Sequence, residues 1–138
     1  MEHDQENEEL IRSYLEYLQN VRTDRAGMDD EAWERLEPVL SGNGQRAWKL
    51  ALEILGRCDE EDVTMVGAGL LQTLLFSHPK LVERFENELR SNDRFLRAFQ
   101  YVAMTGVPLA VQRRLNEAMA ERGVDPKFLV EYDEVEED

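Results

Sequence analysis

Apolar residues recur along this chain at three- and four-residue spacings, with charged residues filling the gaps. Leu10, Tyr14, Tyr17, Leu18 and Val21 come at intervals of four, three, one and three. That is the repeat of one helical face, and Ile11 and Leu15 widen it. The spacing predicts a helix from about Asn7 to Arg22, with residues 1–6 frayed. Thr23-Asp24-Arg25-Ala26-Gly27 breaks the pattern. A second helix comes next, capped by Asp29 or Asp30, with Ala32, Trp33, Leu36, Val39 and Leu40 inward. Pro38 falls late in it, where proline kinks or shortens a helix. Ser41-Gly42-Asn43-Gly44 is a further break. The next helix, Gly44 to Arg57, turns Ala47, Trp48, Ala51, Leu52, Ile54 and Leu55 inward.

The longest nearly uncharged stretch runs from Met65 to Phe76. Asp59-Glu60-Glu61-Asp62 opens it as a solvated helix start, with acids suited to the helix dipole. Gly67 and Gly69 then interrupt the apolar pattern. Two interior glycines cost about 2 kcal/mol relative to alanine, so they need a reason. The expectation is a short helix, a tight junction at Gly67-Ala68-Gly69, and a second helix from Leu70 to Phe76. The alternative is another backbone packed closely against the glycines. Trp48, Phe85 and Phe99 are expected to pack on this joint.

Ser77-His78-Pro79 marks the following boundary, with Pro79 in the first turn of a helix that carries Leu81, Val82, Phe85 and Leu89. His78 is expected to make a hydrogen bond at this junction. Glu83, Glu86 and Arg90 read as a surface stripe, Glu86 and Arg90 forming an i,i+4 pair. Asn92 or Asp93 caps a helix with Phe95, Leu96, Phe99, Val102 and Ala103 inward, ended by Thr105-Gly106-Val107-Pro108. Leu109 to Arg122 makes a last long helix around Val111, Leu115, Ala118 and Met119. Asp125-Pro126 starts a short turn with Phe128 and Leu129, and residues 131–138 read as a solvated acidic tail. Strand-like alternation is absent throughout. The fold class is therefore all-α: one domain over residues 1–130, a compact bundle of about seven short helices, with stacked helix pairs as the variant.

Charge changes the picture. The formal net charge is −14 over 138 residues. Residues 1–41 hold 12 acidic and 4 basic side chains, and residues 123–138 hold 7 and 1, whereas the centre is balanced at 11 and 11. A direct nucleic-acid binder needs cations to displace phosphate counterions, so that role is disfavoured. A protein partner with a basic surface is favoured. No apolar run approaches the ~20 residues of a membrane span. The acidic Met1-Glu2-His3-Asp4 start has neither a basic nor an apolar signal region, so a cytoplasmic location is expected.

Candidate chemistry is sparse. Gly67-Ala68-Gly69 lacks the Gly-Lys-Ser/Thr continuation of a phosphate loop. Asp59 to Asp62 lacks calcium-loop spacing. His78 has only the terminal His3 as a second imidazole. Cys58 stands among acids that disfavour its thiolate. No catalytic residue, cofactor or metal is expected, and the chain reads as a non-enzyme.

Several separated pieces agree in order with a known pattern: Ala47-Trp48, then Val66-Gly67-Ala68-Gly69 with Leu71 and Leu74-Leu75, then His78, then Asp93-Arg94-Phe95-x-Arg97-Ala98. They span Ala47 to about Val102. This stretch resembles an uncharacterised bacterial family of small acidic domains marked by a Val-Gly-Ala-Gly-Pro-Leu-x-x-Leu-Leu core. Leu70 replaces the family's usual proline. Gln72 and Thr73 stand where acids are frequent in the family, and Pro79 follows His78 in place of glycine. The resemblance implies an all-helical domain and no activity.

The functional expectation is a non-enzymatic inhibitor or immunity-type protein that binds a basic surface of a bacterial toxin or defence protein. Glu6, Glu8, Glu9, Asp29, Asp30, Glu131, Asp133 and Glu134 are its candidate partner-binding residues. A sharper form has these carboxylates mimic DNA phosphates. The competing expectation is a homo-oligomeric structural or regulatory module that associates through exposed aromatics.

Overall fold

A computed structural model describes residues 2–22 and 31–125. Seven helices account for most of them, and no strand occurs among the described residues. Helix α1 is Glu2–Arg22, α2 Glu31–Ser41 and α3 Gly44–Arg57. Helix α4 spans 60–77 as one stack of turns of changing width. A 3-10 turn at Glu60–Asp62 leads into an α turn at Val63–Met65, a π segment at Val66–Leu71 and an α segment at Gln72–Ser77. The 3-10 turn Pro79–Leu81 leads into α5, Val82–Ser91. Asp93–Phe99 forms α6 and Leu109–Glu121 forms α7.

Local chemistry sets the boundaries. Asn43 caps α3 by accepting the Arg46 N–H at 2.9 Å, and Asn92 caps α6 by accepting the Phe95 N–H at 3.1 Å. Each thereby satisfies a first-turn donor that has no carbonyl partner inside the helix. Pro79 starts its turn where a missing N–H is harmless. Pro38 sits inside α2 without ending it, and the helix continues to Ser41.

α1, α2 and α3 pack on one another, and α5 packs against both α6 and α7. α4 runs through the middle, in contact with α2, α3 and α6. Its Val66, Leu70, Leu71, Leu74 and Leu75 are fully buried. Beside it lies an aromatic cluster. Ring centroids are 5.1 Å apart for Trp48 and Phe85, 5.6 Å for Phe85 and Phe95, and 5.9 Å for Phe85 and Phe99. Tilted and edge-on pairs at these distances add to the burial they provide.

The expected break at Gly67-Ala68-Gly69 does not occur. The chain widens to a π segment instead, and the Gln72 N–H donates to the Gly67 and Gly69 carbonyls. The glycine at 67 answers the alternative of close backbone approach. A Cβ there would stand 2.7 Å from the Ala98 carbonyl carbon and closer still to its oxygen. α4 and α6 thus touch backbone to backbone at this point. Gly69 is not constrained in that way, since its added Cβ would meet only the Tyr14 hydroxyl at 3.7 Å.

Other expectations are corrected too. α1 is helical from Glu2, and Arg46 of α3 bonds its Glu6 and Asn7. Asp62 is not solvated: it is 2% exposed at the base of α4. α6 ends at Phe99, so Ala103 lies outside it and is exposed, while Val102 remains buried. The turn at Pro126 and the tail at 131–138 lie outside the described residues, as does the cap at Asp29 or Asp30.

Candidate interaction surface

The acidic residues of α1 divide into two groups. Its buried side carries Leu10, Ile11, Tyr14 and Leu18. The flank nearest α3 carries Glu6, Asn7 and Glu8. Arg46 donates to Glu6 and, through Nε, to Asn7 Oδ1 at 2.9 Å. Arg57 forks onto Glu8 with Nη1–Oε1 at 3.0 Å and Nη2–Oε2 at 2.9 Å. These hydrogen bonds from Arg57 hold the Glu8 carboxyl below the usual carboxylate range, and Arg12 adds to the effect. Two of the expected partner-binding residues are therefore engaged within the fold, tying α1 to α3.

The outer side of α1 is different. Gln5, Glu9, Arg12, Glu16 and Gln19 are exposed at alternating four- and three-residue spacings. Glu34 and Glu37 are exposed on α2. Glu9, Glu16, Glu34 and Glu37 form no ion pair among the described residues. Of these four, only Glu9 is among the residues the sequence singles out. The other three sit inside regular helix patterns rather than in acidic runs, so nothing local marks them. Asp29, Asp30, Glu131, Asp133 and Glu134 lie outside the described residues.

The basic residues of the balanced centre are mostly engaged in internal pairing. Arg94 donates from Nε to the Leu55 carbonyl at 2.6 Å and from its other nitrogens to the Cys58 carbonyl and Glu60. Arg97 reaches the same Glu60 at 2.9 Å. Arg114 forks onto the buried Glu86 at 2.8 and 2.6 Å, and Arg90 forks onto Glu121 at 3.0 Å on both arms. The expected Glu86–Arg90 pair is thus replaced by two bidentate bridges between α5 and α7. Fork geometry across two helices fixes both planes, which an exposed i,i+4 pair does not.

The residues weighed for chemistry each have a partner within the fold. His78 donates from Nε2 to the Leu40 carbonyl at 2.7 Å, the junction bond expected of it. Burial pushes the Cys58 thiol up, and its Sγ sits 3.6 Å from the Leu55 carbonyl oxygen. Burial likewise raises the Tyr14 phenol, with Tyr17, Cys58 and Asp62 adding to it. Among the described residues no group of three or more His, Cys, Asp or Glu side chains is placed to hold a metal ion, and no helix is long and apolar enough to cross a membrane.

Two large apolar side chains face outward, Phe76 at 60% exposure and Tyr101 at 55%. Between their segments, Gln72 Oε1 accepts the Ala103 N–H at 3.0 Å. The Phe76 ring lies over Gly106, whose φ of 85° favours glycine.

Comparison with protein-family models, with curated proteins and with solved structures finds no match for this chain. Three contacts join α3, α4 and α6 near their crossing. Gly67 abuts Ala98, Trp48 packs against Phe95 at 5.9 Å, and Arg94 clamps the end of α3.

Proposed function

We propose that the protein is a non-enzymatic binding module whose outward carboxylates on α1 and α2 dock on a basic surface of another protein. The observation that carries this reading is the contrast between paired and unpaired acids. Glu6, Glu8, Glu60, Glu86 and Glu121 are matched with arginines, whereas Glu9, Glu16, Glu34 and Glu37 face solvent without an ion-pair partner among the described residues. A net charge of −14 steers such a surface toward cationic targets and away from nucleic acid. The partner class that fits is a bacterial toxin or defence protein with a basic cleft, the protein acting as its inhibitor or immunity factor.

The test is affinity capture with the products of the genes beside this one, at salt rising from about 0.05 to about 0.5 M. The reading expects a complex that weakens with salt and loses that dependence when Glu9, Glu16, Glu34 and Glu37 are changed to glutamine. A complex indifferent to salt, or no complex with any neighbour, rejects it. Exposed Phe76 and Tyr101 favour a second reading, self-association as a homo-oligomeric module. A monomer in sedimentation at high concentration argues against it.

A further inference from the structure

The junctions before α3 and α5 enclose an open pocket of about 670 Å³. Asn43, Gly44 and Gln45 line it from one side, and Ser77, His78, Pro79, Lys80, Leu81 and Arg84 from the other. The chain has 30 acidic residues, yet none lines this pocket. Lys80 and Arg84 are exposed there and form no ion pair among the described residues, unlike Arg46, Arg57, Arg90, Arg94, Arg97, Arg114 and Arg122.

We infer that this pocket binds a small phosphorylated molecule, its phosphate held by Lys80 and Arg84. Two cations without carboxylates to neutralise them supply the charge, and the arginine fork suits phosphate oxygens. The remaining polar wall offers the side-chain amides of Asn43 and Gln45 as donors, while the Ser77 hydroxyl is turned to Ser41 at 3.5 Å. The Asn43 side chain takes the Arg46 N–H, so it does not use the Gly44 and Gln45 N–H groups in the first turn of α3. Those amides supplement the side chains. His78 shapes the wall. Its Nε2 is committed to Leu40, and its ring lies over Gly44, where an added Cβ would be 3.4 Å from Nδ1. The volume exceeds that of bare phosphate and falls within the ~300–1,000 Å³ of small-molecule sites. Pro79 and Leu81 offer an apolar wall to the organic part.

The test is a titration of the full chain with phenyl phosphate at constant ionic strength, followed through backbone amide resonances, with benzoate as the carboxylate control. Saturable shifts are expected at Gly44, Gln45, Lys80 and Leu81, with benzoate much weaker. A Lys80→Gln/Arg84→Gln variant should keep the wild-type melting temperature, because neither side chain is paired within the fold. It should bind phenyl phosphate at least ~tenfold more weakly. Shifts that never saturate, that scatter over other surfaces, that persist in the variant or that benzoate reproduces would each overturn the assignment.

Discussion

Gly67→Ala adds a single methyl group, and the structure makes it costly. The new Cβ would lie 2.7 Å from the Ala98 carbonyl carbon and 3.2 Å from its Cα, with the oxygen nearer still. Both partners are backbone, so no side chain can rotate away. Relief requires α4 and α6 to part by roughly 1 Å in an interior packed like a crystal. Overpacking of this kind costs about 3 kcal/mol at the upper end of its usual range, against a gain of about 1 kcal/mol from replacing a helical glycine. The net loss should be about 2 kcal/mol, a fall of roughly 8 °C in Tm for a chain of this size. Gly69→Ala is the matched control. It lies two positions along the same helix, where the added Cβ meets only the Tyr14 hydroxyl at 3.7 Å, so it should stabilise by about 0.5–1 kcal/mol. Urea unfolding monitored by tryptophan fluorescence, with m-values compared, measures both. If Gly67→Ala proves as stable as Gly69→Ala, the backbone contact between α4 and α6 is wrong. Gly67→Val, with more volume at the same spot, should abolish folding rather than leave a folded protein with impaired binding.

The ion pairs and the thiol yield three further outcomes. Arg114→Ala leaves Glu86 buried without its fork and should lower the urea midpoint, though modestly, since Arg114 itself is half exposed. An unchanged midpoint would show that the bridge contributes nothing. Arg57 lowers the Glu8 pKa in the folded protein, so this pair stabilises the fold above the ordinary carboxyl value of 4.5, and its contribution is lost as pH falls through the lowered folded value. Wild type should therefore exceed Glu8→Gln in stability near neutral pH, and the two should converge in acid; a pH-independent gap contradicts the linkage. Cys58, buried and with a raised pKa, should resist thiol reagents in the native state and react only on unfolding, at a rate that tracks urea concentration.

Local signals are legible in the chain. Gly42-Asn43-Gly44 and Arg57 bracket α3 because caps and breakers act over three or four residues, and the His78 junction bond follows from a break beside Pro79. The misses share a different cause. Glu86 has Arg90 within one helical turn, but it chooses Arg114 from another helix, and sequence spacing cannot rank a distant fork against a near pair. Asp62 sits in an acidic run that looks solvated until α1 covers the start of α4. Gly67 visibly needs a reason in the sequence, but Ala98, 31 positions away, supplies that reason only in the folded chain. The surface acids carry the same ambiguity. Glu6 and Glu8 stand beside Glu9 in sequence, and only the positions of Arg46 and Arg57 separate those used in folding from those left for a partner.

The π segment also sets the angular phase of α4. One extra residue held in a helix turns everything on its N-terminal side by about 100° relative to the turns on its C-terminal side. Val63 and Val66 on one side, and Leu70, Leu71, Leu74 and Leu75 on the other, are all buried with that offset in place. Deleting the exposed Ala68 would restore a regular hydrogen-bond ladder and yet misalign the two halves, swinging Val63 and Asp62 off the core. In this helix, regular geometry and correct burial are mutually exclusive, and the chain keeps burial.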